Sequence, residues 1–451
     1  MENTRELIVD ILLEIGEKER YSHLVIRDVL DKYNYMAPRD KAFIKRIVEG
    51  TLERRIQVDY VLDRFSKVPV SRMKPFIRNL LRMSVYQLLF MDSVPDRAVC
   101  NEAVKLAGKR GFRTLQGFVN GVLRTVARRK EDITYPDRQG APISYLSVKY
   151  SMPEWLVEKF LEERGIEETE SICKAFLCET PISLRFQESL TREEKQQLLS
   201  DIEGSGAVIT SHPYLPYAFC LTGAEGMENV PGFYEGLFTV QDVSSMLVCE
   251  VADIAEGSYV IDVCAAPGGK SLHAAEKLKG TGHVSARDLT EYKVSMIRDN
   301  IDRMKLTNIQ TLVWDACVLR QEDVERADIV LADLPCSGLG VIGKKKDIKY
   351  RITPEDLGQV CQLQRQILDV VWHYVKPGGT LIYSTCTINP MENEENVRWF
   401  VQNYPFELQD VTPFLPAPLQ GEVREGSLQL LPGIHETDGF FIARLIRKGI
   451  S

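Results

Sequence analysis

Apolar positions recur at intervals of three and four through the first 130 residues. Leu7, Ile8, Ile11, Leu12 and Ile15 form one stripe, and Val99, Ala103, Val104, Leu106 and Ala107 another, the spacing of helices that each bury one face. Breaks fall at Ala37-Pro38, Val68-Pro69 and Val94-Pro95, so an all-α bundle is predicted over 1–134. Polar, turn-rich 135–142 predicts a linker. Over 143–240 the pattern mixes a helix at 153–164, a strand at 182–186, a helix at 191–201 and strand-like pieces around Val208 and Phe219, which predicts a small α+β module. From 241 to 451 strand, glycine turn and helix alternate. Strands are predicted at 258–263, 283–286, 309–313, 327–332 and 380–383, the pattern of a doubly wound, Rossmann-like α/β sheet. Thr353-Pro-Glu-Asp356 and Asn389-Pro-Met-Glu392 carry the cap, proline and acid of helix starts. They leave a long loop after the fourth strand and a short one after the fifth.

The 451 residues suit about three domains of roughly 150 residues each. No apolar run approaches the ~20 residues that span a bilayer, and the opening Met1-Glu-Asn-Thr-Arg-Glu-Leu-Ile reads as neither signal nor transit peptide. A cytoplasmic protein with no membrane partner is expected. None of the ten cysteines lies in a Cys-x-x-Cys pair, and the six histidines fall nowhere near them at zinc spacing. Neither a metal nor a disulfide is expected, and Cys173 and Cys178 read as buried core thiols. The formal charge of -8 conceals an asymmetry. Residues 1–130 hold 26 Lys and Arg against 16 Asp and Glu, the remainder 30 against 48, so a basic head is expected to meet a polyanion. Arg124, Arg128, Arg129 and Lys130 at the end of its last helix are candidate phosphate ligands.

Three motifs follow predicted strands. Cys264-Ala-Ala-Pro-Gly-Gly-Lys270 is a glycine turn opening a helix, which cradles a nucleotide-like cofactor in folds of this kind. Asp288 and Asp315 end the next two strands, placed for a ribose and an adenine. Asp333-Leu-Pro-Cys-Ser-Gly338 and Tyr383-Ser-Thr-Cys-Thr387 put Cys336 and Cys386 past two further strand ends, where open α/β sheets bind ligands. Two thiols beside a cofactor point to covalent chemistry. A thiolate adding to carbon 6 of a cytosine would activate carbon 5 for methylation, with Asp333 placed to hydrogen-bond the ring and a second cysteine as the candidate base. A nucleotide-dependent oxidoreductase is the competing reading of the glycine turn, although G-x-G-x-x-G is absent.

Val260-Ile-Asp-Val-Cys-Ala-Ala-Pro-Gly-Gly-Lys-Ser271, Asp333-Leu-Pro-Cys-Ser-Gly338 and Gly378-Gly-Thr-Leu-Ile-Tyr-Ser-Thr-Cys386 resemble the motifs of class I S-adenosylmethionine-dependent RNA cytosine-5 methyltransferases. Val48-Glu-Gly-Thr-Leu52, Asn101-Glu-Ala-Val-Lys-Leu-Ala107 and Phe118-Val-Asn-Gly-Val-Leu-Arg124 resemble NusB-type RNA-binding domains. The combination is similar to the bacterial Sun/Fmu (RsmB-type) 16S ribosomal RNA methyltransferases, and segments 231–242 and 438–445 match that family's flanks.

The resemblance implies a NusB-like domain over 1–134, an RRM-like accessory module over 143–240 and a methyltransferase domain over 241–451. It implies S-adenosylmethionine held by Cys264, Ala265, Ala266, Pro267, Gly268, Gly269, Lys270, Asp288, Asp315 and Asp333. It further implies Cys386 as nucleophile, Cys336 as the residue that assists release, and Asp333 beside them. The implied substrate is 16S ribosomal RNA, free or partly assembled, at the family's position 967, acted on by a monomer. Another RNA such as a tRNA, or a non-catalytic assembly role, are the alternatives. Departures fall at Leu334, Trp314 and Thr387 and in the loop 343–350, where Lys344, Lys345 and Lys346 are further candidate phosphate ligands.

Overall fold

The computed structural model describes residues 4–449 apart from 19, 34 and 225. Residues 1–3 and 450–451, the ends of the first and last predicted domains, lie outside the described residues. The chain divides into two compact units.

The first unit comprises Met1–Cys178 with Ile342–Arg351 and is helical. Thr4–Glu17, Ser22–Lys32, Pro38–Glu53, Arg55–Phe65, Pro75–Phe90, Asp96–Lys109 and Gln116–Arg128 cover the stretch of three-and-four periodicity. Pro38 and Pro75 open helices, where a missing N–H costs no hydrogen bond. Pro75–Phe90 buries Ile77, Leu80, Leu81, Met83, Val85 and Leu88 and is the central helix. Gln116–Arg128 shows the core only Val119, Val122, Leu123 and Val126.

Two expectations change here. Residues 135–142 are docked, not a free linker: Gln57 Nε2 donates to Tyr135 Oη at 2.6 Å, and the Tyr60 hydroxyl donates to Thr134 O at 2.8 Å. The following helices, Pro142–Tyr150 and Glu154–Ala175, also belong to this unit rather than to the α+β module. Ile56 N donates to Ser151 Oγ at 2.9 Å, and Pro142–Tyr150 lies against Arg55–Phe65. Gly165, at φ 72°, breaks the second of these helices, a conformation that suits glycine. Cys173 is buried as expected, but Cys178 is exposed.

The second unit comprises Glu179–Val341 and Ile352–Ser451. Its smaller sheet is β1 (Ile182–Phe186), β2 (Val208–Ser211), β3 (Ala218–Thr222) and β4 (Phe238–Val240), antiparallel in the order β2-β3-β1-β4. The helix Arg192–Gly204 opens with a capping box between Thr191 and Glu194 and packs into the apolar cluster of Leu184, Phe186, Ile202 and Phe238.

The larger sheet has nine strands. β5 (Tyr259–Asp262), β6 (His283–Asp288), β7 (Ile309–Val313), β8 (Ala327–Asp333) and β9 (Val375–Thr385) run parallel in the order β9-β8-β5-β6-β7, matching the five predicted strands. The order reverses between β5 and β8, which sets a ligand crevice at their carboxyl ends. β10 (Phe406–Gln409), β11 (Val423–Arg424), β12 (Ser427–Leu430) and β13 (Phe440–Arg447) add an antiparallel edge, with β13 paired to β9 over six residues. That edge was not predicted. Helix Pro354–Val371 begins at the predicted Thr353 cap, whereas 389–392 leads into a turn in which Asn389 and Glu392 are buried, and its helix starts only at Glu394.

Candidate active site

β5 ends in a turn that passes into the helix Gly269–Lys277. Gly268 takes φ 112° and donates its N–H to Ala265 O at 2.7 Å, a backbone conformation that favours glycine. The turn borders a cleft of about 220 Å³ lined by Cys264, Ala265, Ala266, Pro267, Gly269, Lys270 and Asp333, all expected there. Val240, Gln241, Asp242, Ser245 and Asp262 complete the lining and were missed. Asp262 is the most informative. It is buried, accepts from Ser271 Oγ at 2.6 Å through one oxygen, and has no partner for the other. Burial raises its carboxyl to about 7. A strand-end acid directly before the glycine turn was the signal available in the sequence.

Gly268, Asp288 and Asp315 do not line the cleft. Asp288 is buried and accepts Ala266 N at 3.0 Å and Leu289 N at 2.8 Å, so it holds the turn in shape. Asp315 is exposed and caps its own turn through Cys317 N at 2.9 Å. Burial, then the charges of Asp262, Asp288 and Asp333, push the Cys264 thiol well up.

Asp333 ends β8, beside Ser384 in the β8–β9 register. Lys270 Nζ donates to one of its oxygens at 2.6 Å and Ser384 Oγ to the other at 2.9 Å. Burial works against the Lys270 charge, but Asp333, Asp262 and Cys386 together raise it above its usual value.

The two cysteines meet as reduced thiols: Cys336 Sγ and Cys386 Sγ are 3.3 Å apart. The hydrogen bond to Cys386, burial and the charge of Glu392 hold the proton on Cys336 well above the usual thiol range. Either sulfur can donate across this contact.

Glu392, fully buried, joins the two cysteine loops. Its carboxylate accepts from Ser337 N at 2.8 Å, Ser337 Oγ at 2.5 Å, Asn389 Nδ2 at 2.9 Å and Gln364 Nε2 at 3.1 Å. Ser337 Oγ and Thr387 Oγ1 lie 2.7 Å apart. Thr387 keeps the hydroxyl this bridge needs. Beyond Cys336, Gly340 N donates to Cys386 O at 3.1 Å and Gly439 N to Gly340 O at 3.0 Å; a Cβ at Gly340 would collide with the Gly439 carbonyl.

The expected phosphate ligands lie in the helical unit. Arg124 and Arg128 are exposed, and Arg128 Nε donates to Arg124 O at 3.2 Å. Arg129 pairs with Asp132 at 2.7 Å and Lys130 with Asp96 at 3.1 Å. Lys344 and Lys345 are exposed, but Lys346 pairs with Glu53. The loop 343–350 is thus packed: Lys349 is buried and donates to Glu53 O at 2.9 Å. Among the described residues, Glu188, Glu250 and His273 form a group of metal-capable side chains. Lys277 Nζ lies 2.9 Å from Glu188 and 2.7 Å from Glu250, so a lysine supplies their counter-charge.

A model of the 16S rRNA methyltransferase RsmB/F family matches residues 250–446, and one of the NusB family matches 2–128. The chain is 36% identical to a probable ribosomal RNA small subunit methyltransferase B of Bacillus subtilis, over 99% of both chains. It is 30% identical to a ribosomal RNA small subunit methyltransferase B of Cronobacter sakazakii, again over 99% of both. The crystal structure of PH0851 covers 99% of both chains at 28% identity and a TM-score of 0.79. A methyltransferase homolog protein from Pyrococcus horikoshii covers 68% of this chain at 27% identity and a TM-score of 0.57. With full-length relatives above 30% identity and a NusB-family domain ahead of the catalytic sheet, the chain belongs to the RsmB/F family of 16S rRNA methyltransferases.

Proposed function

We propose that this protein transfers a methyl group from S-adenosylmethionine to carbon 5 of a cytosine in 16S ribosomal RNA, the family's position 967, through a thioether adduct between Cys386 and carbon 6. The pair of reduced thiols 3.3 Å apart beside the β5–β8 cleft carries this reading. Methyl transfer to a heteroatom would need neither.

The residues of the cleft fit the cofactor. The unpartnered oxygen of buried Asp262 suits a cationic amine, and the glycine turn leaves backbone room beside it. Asp262, Cys264, Ala265, Ala266, Pro267, Gly269 and Lys270 would hold the group, which when bound supplies an electrophilic methyl on a sulfonium.

Cys386 acts as the nucleophile. A hydrogen bond from the Cys336 thiol, 3.3 Å away, and the nearby Lys270 ammonium would both favour its anion. Its sulfur adds to carbon 6, and the displaced π electrons make carbon 5 nucleophilic. Asp333 is held by Lys270 and Ser384, oriented to hydrogen-bond the cytosine edge. After methylation carbon 5 carries both the methyl and its original proton. Removing that proton re-forms the double bond and expels the Cys386 thiolate. Cys336 is the adjacent base, its own proton having gone to solvent once Cys386 is bound as a thioether. The carbon-5 proton thus ends on the Cys336 sulfur, and the starting thiol and thiolate are restored.

The test uses two variants of the full chain with bisulfite sequencing of 16S ribosomal RNA. Cys386→Ala should abolish methylation while cofactor affinity stays within a few-fold. Cys336→Ala should accumulate a denaturant-stable RNA adduct, because adduct formation precedes release. Normal methylation by Cys386→Ala would exclude the mechanism, and trapping by Cys386→Ala instead of Cys336→Ala would reverse the roles.

A further inference from the structure

The helical unit holds a second cavity, of about 410 Å³, within the size range of small-ligand pockets. Its wall includes Gly16, Tyr21, Thr51, Arg55, Tyr350 and Arg351. The Arg55 guanidinium lies 3.5 Å from the centre of the Tyr350 ring. It is largely buried, and burial lowers its pKa. Among the described residues it donates no hydrogen bond, whereas its neighbours are matched. Arg82 makes two bonds to Asp59 at 2.7 and 2.6 Å, Arg78 pairs with Glu17 at 2.6 Å, and Arg351 pairs with Asp347 at 2.9 Å. Four guanidinium groups thus face three carboxylates, and the unmatched one is Arg55. In the same wall the buried hydroxyl of Thr51 has no partner.

A buried cation without an acceptor is costly, and a guanidinium whose face is taken by a ring keeps its N–H edge for a planar pair of oxygens. At the cavity mouth Tyr21 is 55% exposed, with the Arg351 guanidinium 4.7 Å from its ring centre, and aromatic rings and guanidinium planes are the surfaces on which single-stranded bases stack. We propose that this cavity binds one nucleotide of a single-stranded RNA segment, its phosphate on Arg55 and Thr51 and its base against Tyr21. The site is separate from the cofactor cleft, lies among none of the cations singled out in the sequence, and rests on the reading of this protein as an RNA enzyme.

The test uses the full chain with Arg55→Gln and Gly16→Glu. Gly16 lines the cavity on the exposed side of its helix, and a Cβ there meets nothing within 4 Å, so the new carboxylate repels a phosphate without disturbing the core. RNA affinity is measured at several salt concentrations with two probes, 16S ribosomal RNA and polyuridylate, alongside melting temperature. Both variants should bind both probes about tenfold more weakly, and the slope of log affinity against log salt should fall by about 0.7, one phosphate contact on a single strand. If Arg55→Gln melts early, Gly16→Glu decides. Unchanged affinity and slope in Gly16→Glu and in folded Arg55→Gln would overturn the site. The function stands or falls separately: wild type that binds polyuridylate through Arg55 but never methylates 16S RNA keeps the site and loses the proposed function. Wild type that binds neither RNA loses both.

Discussion

Asp262 links burial to ligand binding at a single carboxyl. Its folded-state value of about 7, against an ordinary 3.8, means that between these limits the folded chain holds a proton the unfolded chain has released. Stability of the cofactor-free protein therefore falls as pH rises through that window, by up to about 1.4 kcal/mol per pH unit from this group. A cationic amine at the unpartnered oxygen favours the carboxylate, so binding of S-adenosylmethionine at pH 7 should release a fraction of a proton. Calorimetry in two buffers of different ionisation enthalpy measures this. The apparent binding enthalpies should differ for wild type and coincide for Asp262→Asn; equal enthalpies for wild type would remove Asp262 from the cofactor site.

At the scale of elements, the loop after β8 that carries Cys336 is tied to the loop after β9 that carries Cys386 by a carboxylate further along the second loop. Glu392 bonds Ser337 on one loop and meets Thr387 on the other, so the spacing of Cys336 and Cys386 depends on it. Glu392→Gln places an amide N–H₂ against donors, and an unmatched buried donor costs about 1 to 3 kcal/mol. The variant should melt earlier and methylate more slowly in single-turnover assays, with cofactor affinity nearly intact. Equal losses of cofactor affinity and rate would show a general collapse instead.

The segment Ile342–Arg351 poses the opposite case. Burial lowers Lys349 from 10.5 to about 7. Between those values the unfolded chain carries one proton more, so this residue makes stability rise with pH and weighs against folding at neutral pH. Lys349→Met should raise the melting temperature at pH 7 and reduce the gain between pH 7 and 10. A variant that melts lower at pH 7 would show that the bond to Glu53 outweighs the burial.

For the whole molecule, the division into units decides where the chain can be cut. The helices Pro142–Tyr150 and Glu154–Ala175 and the segment Ile342–Arg351 all belong to the helical unit. Deleting 1–134 removes Arg55–Phe65, against which Pro142–Tyr150 lies, and should yield an aggregating protein by light scattering. A fragment over 179–451 with 342–351 replaced by a flexible glycine-serine link should stay soluble and bind S-adenosylmethionine. If the simple deletion is equally soluble and cofactor-competent, the helices after 142 fold without the bundle.

The sequence by itself determined the parallel strands, the glycine turn and the strand-end positions of Cys336, Cys386 and Asp333, because these are local. A short apolar run followed by a turn motif places its residues at the edge of the sheet whatever surrounds it. It also determined the helical bundle, whose periodicity is written within each helix. Only the tertiary structure decided the features that depend on distant partners. The pairing of β13 with β9 joins residues some sixty apart in sequence. Glu392 looked like the first-turn acid of a helix, but the donors of the Ser337 loop draw it inward. Asp288 read as a ribose ligand, and the fold shows that it also accepts Ala266 N and so shapes the turn. The lysines of 344–346 looked like a free basic loop, yet Lys346 is matched by Glu53. A charge pattern shows which residues want partners; only the folded chain supplies them.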